Sequence, residues 1–233
     1  RIHRSLLSAG KSWDGMTLVS AGRAPIGGAD AAVPAFLIDR GEVTNAQFGR
    51  FIAAGGYRNP SYWSDPVLVG GRQTPLEVAM RNFVDRTGTP GPRFWSGGAF
   101  PDGKADHPVV GVSWYEAAAY ARWAGKELPT TAQWWRAALG DGGGVFPWGR
   151  DVRTAEARAN FGLVGTRPVG VDPLGISPWG CYDMAGNVRE WLRDGLPGTK
   201  RHIVVGGSWQ DPVYMFEASH AESFDPMFAN EAV

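Results

Sequence analysis

One cysteine and four histidines are the side chains of widest chemical reach in this 233-residue chain, and their placement limits what they can do. Cys181 stands alone, which excludes an internal disulfide framework and a cysteine-rich zinc site. It precedes Tyr182 in a turn-rich segment, where a free cysteine outside any motif reads as a small buried hydrophobe. The histidines are His3, His107, His202 and His220. No two of them lie at i and i+4, the spacing that sets two metal ligands on one helix face. His107 precedes Pro108 and reads as a hydrogen-bonded structural residue. Gly142, Gly143 and Gly144 are followed by no Lys-Ser/Thr and follow no clear strand, so they make a flexible connection rather than a phosphate cradle. Isolated Ser-His-Asp or paired-carboxylate arrangements carry no weight without geometry.

The elements that must position these groups are short. Hydrophobic residues make up 43% and charged residues 20%, enough for one large domain with a real core or for two small ones. With 33 Gly, 17 Pro and 11 Trp, the chain reads as loop-rich, with aromatic side chains supplying much of the buried area. Lys plus Arg equals Asp plus Glu at 23 each, and no basic patch with interleaved aromatics is present, so nucleic acid is not an expected partner. No apolar run approaches the roughly 18 to 20 residues of a membrane span. The first seven residues, Arg1 to Leu7, are too short and interrupted for a signal peptide. The start at Arg rather than Met suggests a segment of something longer, and location is left open with the cytoplasm favoured.

Residues 1–13 read as a linker or extension and 14–233 as a single domain. Met16 to Val19, Ala35 to Ile38 and Ile203 to Val205 are strand-like apolar runs bounded by Gly or Pro. Thr44 can cap a helix over Asn45 to Ala54, with Phe48, Phe51 and Ile52 on one face and Gly55-Gly56 as the stop. Ser113 to Glu116 is a capping box opening a helix that runs to Ala124 before Gly125; its stripe of Trp114, Ala117, Ala118 and Ala121 is core. Thr130 to Gln133 is a second box, opening a helix that ends near Gly140. The stretch from Gly56 to Asp106 has no sustained period and is expected to be packed by its own aromatic side chains or to be functional. Periodicity alone gives an α+β domain with few helices and much irregular structure.

Several segments, in order, carry a resemblance. Gly15-Met16-Thr17-Leu18-Val19 and Phe36 to Asn45 come first, then His107-Pro108-Val109-Val110-Gly111-Val112-Ser113-Trp114 and Ala118-Tyr120-Trp123-Ala124-Gly125-Lys126. Leu128-Pro129-Thr130, Phe146-Pro147-Trp148-Gly149, Asp183 to Trp191 and Gly206-Gly207-Ser208-Trp209 follow. Together they resemble the formylglycine-generating enzymes, or sulfatase-modifying factors, over nearly the whole chain. The resemblance implies a C-type-lectin-like variant of the α+β fold, and a closing Gly-Phe-Arg strand where this chain stops.

In that family two cysteines shortly after Gly-Gly-Ser bind copper(I), a soft ion suited to thiolates, for oxidation of a substrate cysteine. The matching positions here hold Asp211 and Phe216, so the copper site is expected to be lost and no copper is expected. The resemblance also implies a structural calcium held by Asp183, the carbonyls of Gly186 and Val188, and Glu190, all hard oxygen ligands. A second family calcium site would start at Asn160-Phe161, but its aspartate partner is absent from Gly162 to Arg167.

Three functions are open. The first is a non-catalytic binding domain, a module of a larger bacterial signalling protein, taking a protein or peptide on the segment with Ser208, Trp209, Asp211, Tyr214, Phe216, His220 and Glu222. Trp209, Tyr214, Met215, Phe216 and Phe224 put more apolar area there than an exposed loop carries without use; the alternative is that they close the core. The second is a metal-dependent oxidoreductase, of sulfatase-maturation or nonheme-iron type, with an altered site. The ergothioneine-pathway relatives place iron on histidines from an additional helical domain, and His220 is the one groove histidine to test. The third is a retroelement-diversified lectin-like protein, whose variable positions occupy the same C-terminal stretch.

Overall fold

The computed structural model describes residues 1–5, 14–26, 29–162 and 164–233. Five short strands open the chain: β1 (His3–Ser5), β2 (Met16–Val19), β3 (Gly22–Ile26), β4 (Ala29–Val33) and β5 (Phe36–Asp39). β5 lies between β1 and β2 and is antiparallel to both, while β3 and β4 form a hairpin. The strands expected at Met16 to Val19 and Ala35 to Ile38 are thus β2 and β5. The expected linker is not one at its start: Arg1 and Ile2 are buried, and β1 pairs His3 with Ile38. Residues 6–13 of that linker lie outside the described residues.

Then come α1 (Asn45–Ala53), the two-residue strands β6 (Leu68–Val69) and β7 (Arg72–Gln73), α2 (Leu76–Ala79), α3 (Trp114–Trp123) and α4 (Thr131–Leu139). Local chemistry sets the three longer helices. Thr44 and Gln47 bond reciprocally at the start of α1, Ser113 and Glu116 at α3, and Thr130 and Gln133 at α4, so each opens on a capping box. Each stops against a glycine at positive φ, Gly55, Gly125 or Gly140. The chain closes with β8 (Glu190–Gly195), β9 (His202–Val205) and β10 (Ala221–Phe224), an antiparallel sheet with β9 in the centre.

That sheet divides the interior. Along β8, Trp191 turns to one core and its neighbour Leu192 to the other, as the two-residue period of a strand requires. The Trp191 side packs against α1, α3 and the long stretch 56–106, whose Tyr57, Trp63, Phe83 and Trp95 are buried. The stretch is therefore packed by its own aromatic side chains, as one of its two readings held. The Leu192 side meets α4 through Trp134, Ala137 and Ala138, with Cys181 fully buried beside them. α3 is enclosed on more than the expected stripe: Tyr115, Ala119 and Tyr120 are buried with Trp114, Ala118 and Ala121.

Glu116 of α3 shows what this enclosure does to a charge. Its carboxylate accepts from Ser113 N (2.8 Å), Ser113 Oγ (2.7 Å) and the Tyr57 hydroxyl (2.7 Å). Burial outweighs these donors and pushes the carboxyl from 4.5 to about 6. The folded state then holds its proton more tightly than the unfolded chain does. Its contribution to stability is complete below pH 4.5 and is lost as pH rises through about 6, a change of about 2 kcal/mol. Denaturant titrations across this window should show Glu116→Gln removing that share of the fall, because glutamine can keep the cap while carrying no charge.

Candidate functional site

The segment after β9 begins with Gly206 and Gly207, both at positive φ. A Cβ on Gly207 would meet the Phe216 ring at 2.2 Å, so this position needs a glycine for space as well as conformation. Ser208 follows and is fully buried. Its backbone N–H and its hydroxyl both donate to Asp211 Oδ2, at 2.8 and 2.7 Å. Asp211 N in turn donates to Ser208 O, closing a tight turn. The other carboxylate oxygen of Asp211 accepts from Arg189 Nη2. Arg189 Nε lies 2.9 Å from Glu222 Oε2 of β10 as an ion pair and has no hydrogen-bond partner among the described residues.

Asp211 is therefore a buried, fully engaged group, and Phe216 is wholly enclosed with Phe146, Ala159 and Ala185, its ring edge-on to Phe161. This corrects part of the expected binding surface. Ser208, Asp211 and Phe216 lie beneath the surface, because paired donors and an apolar pocket claim them. Tyr214 is 60% exposed, and His220 packs edge-on against it. Trp209 and Glu222 are half-buried, with the Trp209 indole N–H donating to Glu231 O. Of the seven expected residues, Tyr214 is thus exposed and Trp209, His220 and Glu222 are half-buried.

Beneath this turn lies a polar layer that the chain's spacing did not announce. Asn187, at φ +61, donates from Nδ2 to Glu42 Oε2 (2.7 Å) and accepts at Oδ1 from Asn160 Nδ2 and Arg167 N. Glu42 Oε1 accepts from Val188 N. Burial pushes the Glu42 carboxyl well above the carboxylate range, with the charges of Asp183 and Glu190 adding to it. A signal was available for Glu42 and Arg189: each is a charge beside short apolar runs, where it must find a partner. His107 has the structural role expected, its Nδ1 2.9 Å from Thr166 Oγ1.

Asp183, Gly186, Val188 and Glu190 follow one another around the same layer. Asp183 sits at φ +52, and its Oδ2 accepts from Gly170 N (2.7 Å). Burial raises its carboxyl to about 6. Glu190 is also buried, yet Arg1 outweighs that burial and holds its carboxyl below the ordinary value. Arg1 Nε and Nη2 donate to it at 3.2 and 3.3 Å, and Trp134 Nε1 at 3.2 Å. Asn160 is buried with its Oδ1 lacking a donor among the described residues. Among the described residues no three His, Cys, Asp or Glu side chains gather as a metal cluster, so a cation here would draw on carbonyl oxygens too.

Sequence comparison places these features among known proteins. The sulfatase-modifying factor enzyme 1-like domain profile matches residues 5–233. A serine/threonine-protein kinase pkn1 of Chlamydia pneumoniae is 36% identical over 160 residues, covering 68% of this chain and 22% of that protein. A hercynine oxygenase of Mycolicibacterium smegmatis is 38% identical over 181 residues, 70% of this chain and 38% of the oxygenase. The chain thus spans well under half the length of both relatives. The structure of PvdO from Pseudomonas aeruginosa superposes with a TM-score of 0.66 at 21% identity, over 93% of this chain and 90% of PvdO. The α+β fold is that of this group.

Truncation separates the displayed residues from the enclosed ones. Phe216→Ala should lower stability by about 3 to 5 kcal/mol, the usual cost of emptying an aromatic site in a core. Tyr214→Ala should stay within about 0.5 kcal/mol of the parent. Denaturant midpoints of the two variants measure the difference directly.

Proposed function

The chain belongs to the sulfatase-modifying factor enzyme 1-like domain family, and on that premise we propose that it is a non-catalytic binding domain which takes a protein or peptide on the face of Trp209, Tyr214, His220 and Glu222. The observation that carries this reading is the fate of the segment after Gly207. A copper(I) site there would need two soft thiolates, and the chain's one cysteine, Cys181, is buried in the core on the α4 side. Asp211 is a hard carboxylate whose oxygens are already taken by Ser208 and Arg189. Phe216 offers no ligand atom. The kinase relative, most of which lies outside the match, supports a module within a larger bacterial signalling protein.

With copper supplied, the domain should leave the cysteine of a sulfatase-type peptide unconverted. Aldehyde above background, abolished by heating the protein, would overturn the non-catalytic reading. For the binding half, a Trp209→Ala/Tyr214→Ala variant should lose the partners that the parent recovers from extracts of its source. Equal recovery by both would count against the face.

A structural calcium belongs to the same reading. Asp183, the carbonyls of Gly186 and Val188, and Glu190 supply hard oxygens. Glu42 and Glu190 are buried and Asp183 is half-buried in this layer, and Arg1 pairs with Glu190. Arg1 would therefore compete with the calcium. A cation bound only by the folded state stabilises it by mass action. Excess chelator should therefore lower the Tm, and Asp183→Ala should abolish that shift; an unchanged melting curve in chelator would contradict the calcium.

A further inference from the structure

A cleft of about 930 Å³ opens at the end of β9 opposite the Ser208 turn. Its floor holds the Trp114 indole stacked on the His202 ring, centroids 3.8 Å apart. Its walls are charged, and their pairing is uneven. Arg122 is paired with Asp65, Arg193 with Glu127 at 2.7 Å, and Lys126 with Asp39 at 2.5 Å. Among the described residues, Lys200 and Arg201, side by side on the β8–β9 turn, meet only neutral oxygens. Lys200 Nζ donates to Gly71 O, and Arg201 to the carbonyl and hydroxyl of Ser223. Both residues are exposed, so this rim keeps two positive charges with no carboxylate against them among the described residues.

Two further lining groups are incompletely satisfied. The imidazoles of His3 and His202 each carry a buried Nδ1 with no hydrogen-bond partner among the described residues. His3 is only 2% exposed. Burial holds both rings below the ordinary imidazole value, so they add no charge of their own at neutral pH. Unmatched polarity and unmatched positive charge thus occur together in one concave site of the size that binding sites have.

We propose that this cleft binds an acidic peptide segment of a partner protein, whose carboxylates replace the neutral oxygens on Lys200 and Arg201. A peptide fits better than a compact anion because the lining carries five cations, Arg122, Lys126, Arg193, Lys200 and Arg201, against two carboxylates, Asp65 and Glu127, so alternating acidic and neutral residues could run along it from the 199–201 turn. The nearest ready-made anion site, the N-terminus of α3, is already occupied by the Glu116 carboxylate. Charge complementarity of this kind sets partner choice and association rate. The proposal does not rest on the Trp209–Tyr214 face, which lies beyond the opposite end of β9.

Fluorescein-labelled hexaglutamate, followed by anisotropy with the 233-residue chain, tests it. Saturable binding is expected, weakened as salt rises from about 0.05 to about 0.3 M. Lys200→Glu/Arg201→Glu should raise Kd by roughly tenfold or more, since both side chains are exposed and their reversal opposes the ligand directly. Lys200→Glu alone should show a smaller shift in the same direction, and Tyr214→Ala none. Absence of saturable binding, equal affinity of the double variant, or loss of binding in Tyr214→Ala instead would overturn the proposal. Displacement of the peptide by an equimolar amount of tripolyphosphate would overturn it too, by marking a site for a compact anion.

Discussion

A carboxylate carried into an apolar interior needs hydrogen-bond donors or a counter-charge in contact with it, and Glu190 places that demand on three distant parts of the chain. It stands at the start of β8, on the strand face that also presents Leu192 to α4. Arg1 reaches it across 189 positions of sequence, and Trp134 donates its indole N–H from α4. Arg1 also donates to the carbonyls of Asp39 and Tyr182, so its guanidinium ties β5, the turn before Asp183 and β8 to one point. An interior charge pair of this kind adds little net stability over an apolar packing of the same shape, but removing one partner strands the other and costs about 3 to 5 kcal/mol. Its main effect is on which arrangement is allowed. With Glu190 buried, β1 must lie along β5 and α4 must cover β8.

The same logic extends outward from Glu190 to the turn that follows β9. Asn187 makes its bonds to Glu42, Asn160 and Arg167 only because its backbone adopts a positive φ, which asparagine tolerates better than most residues. Its carbonyl then accepts from Trp209 N, and Gly186 N donates to Gly206 O. The strand 190–195, the turn 183–187 and the segment 206–209 are thus held by a continuous run of hydrogen bonds. A rigid platform results, and what it displays depends on the next few residues alone.

The sequence was most legible where chemistry is local. Capping boxes at Ser113 and Thr130 and glycine stops at Gly125 and Gly140 give α3 and α4 nearly to the residue, since each cap is satisfied within a few positions. β9 was visible as a β-branched run, whereas β8, with Glu190, Arg193 and Asp194 among its six residues, has a strand's composition only in part. Its charges make sense once Arg1, Glu127 and Thr131 are known to face them. β1 was unreadable for the same reason: three polar residues become a strand because β5 offers an edge. At the site, the presence of one cysteine in the whole chain was plain, but the burial of Phe216 was not. An aromatic residue after a strand reads alike whether it faces solvent or core, and the deciding feature is Gly207, whose missing side chain makes room for the ring.

What distinguishes this segment physically is the use made of Asp211. A group that does chemistry on a substrate has to keep lone pairs or a coordination position available, and it needs access. Asp211 has neither: both oxygens are engaged, and it is 7% exposed. Its carboxylate works as a turn cap and as an anchor for Arg189, which in turn approaches Glu222 on the neighbouring strand. A stiff turn is also the condition under which an exposed residue such as Tyr214 can be held out to a partner without a large entropic cost on binding. The stiffness of this turn is therefore set by which atoms the Asp211 carboxylate touches.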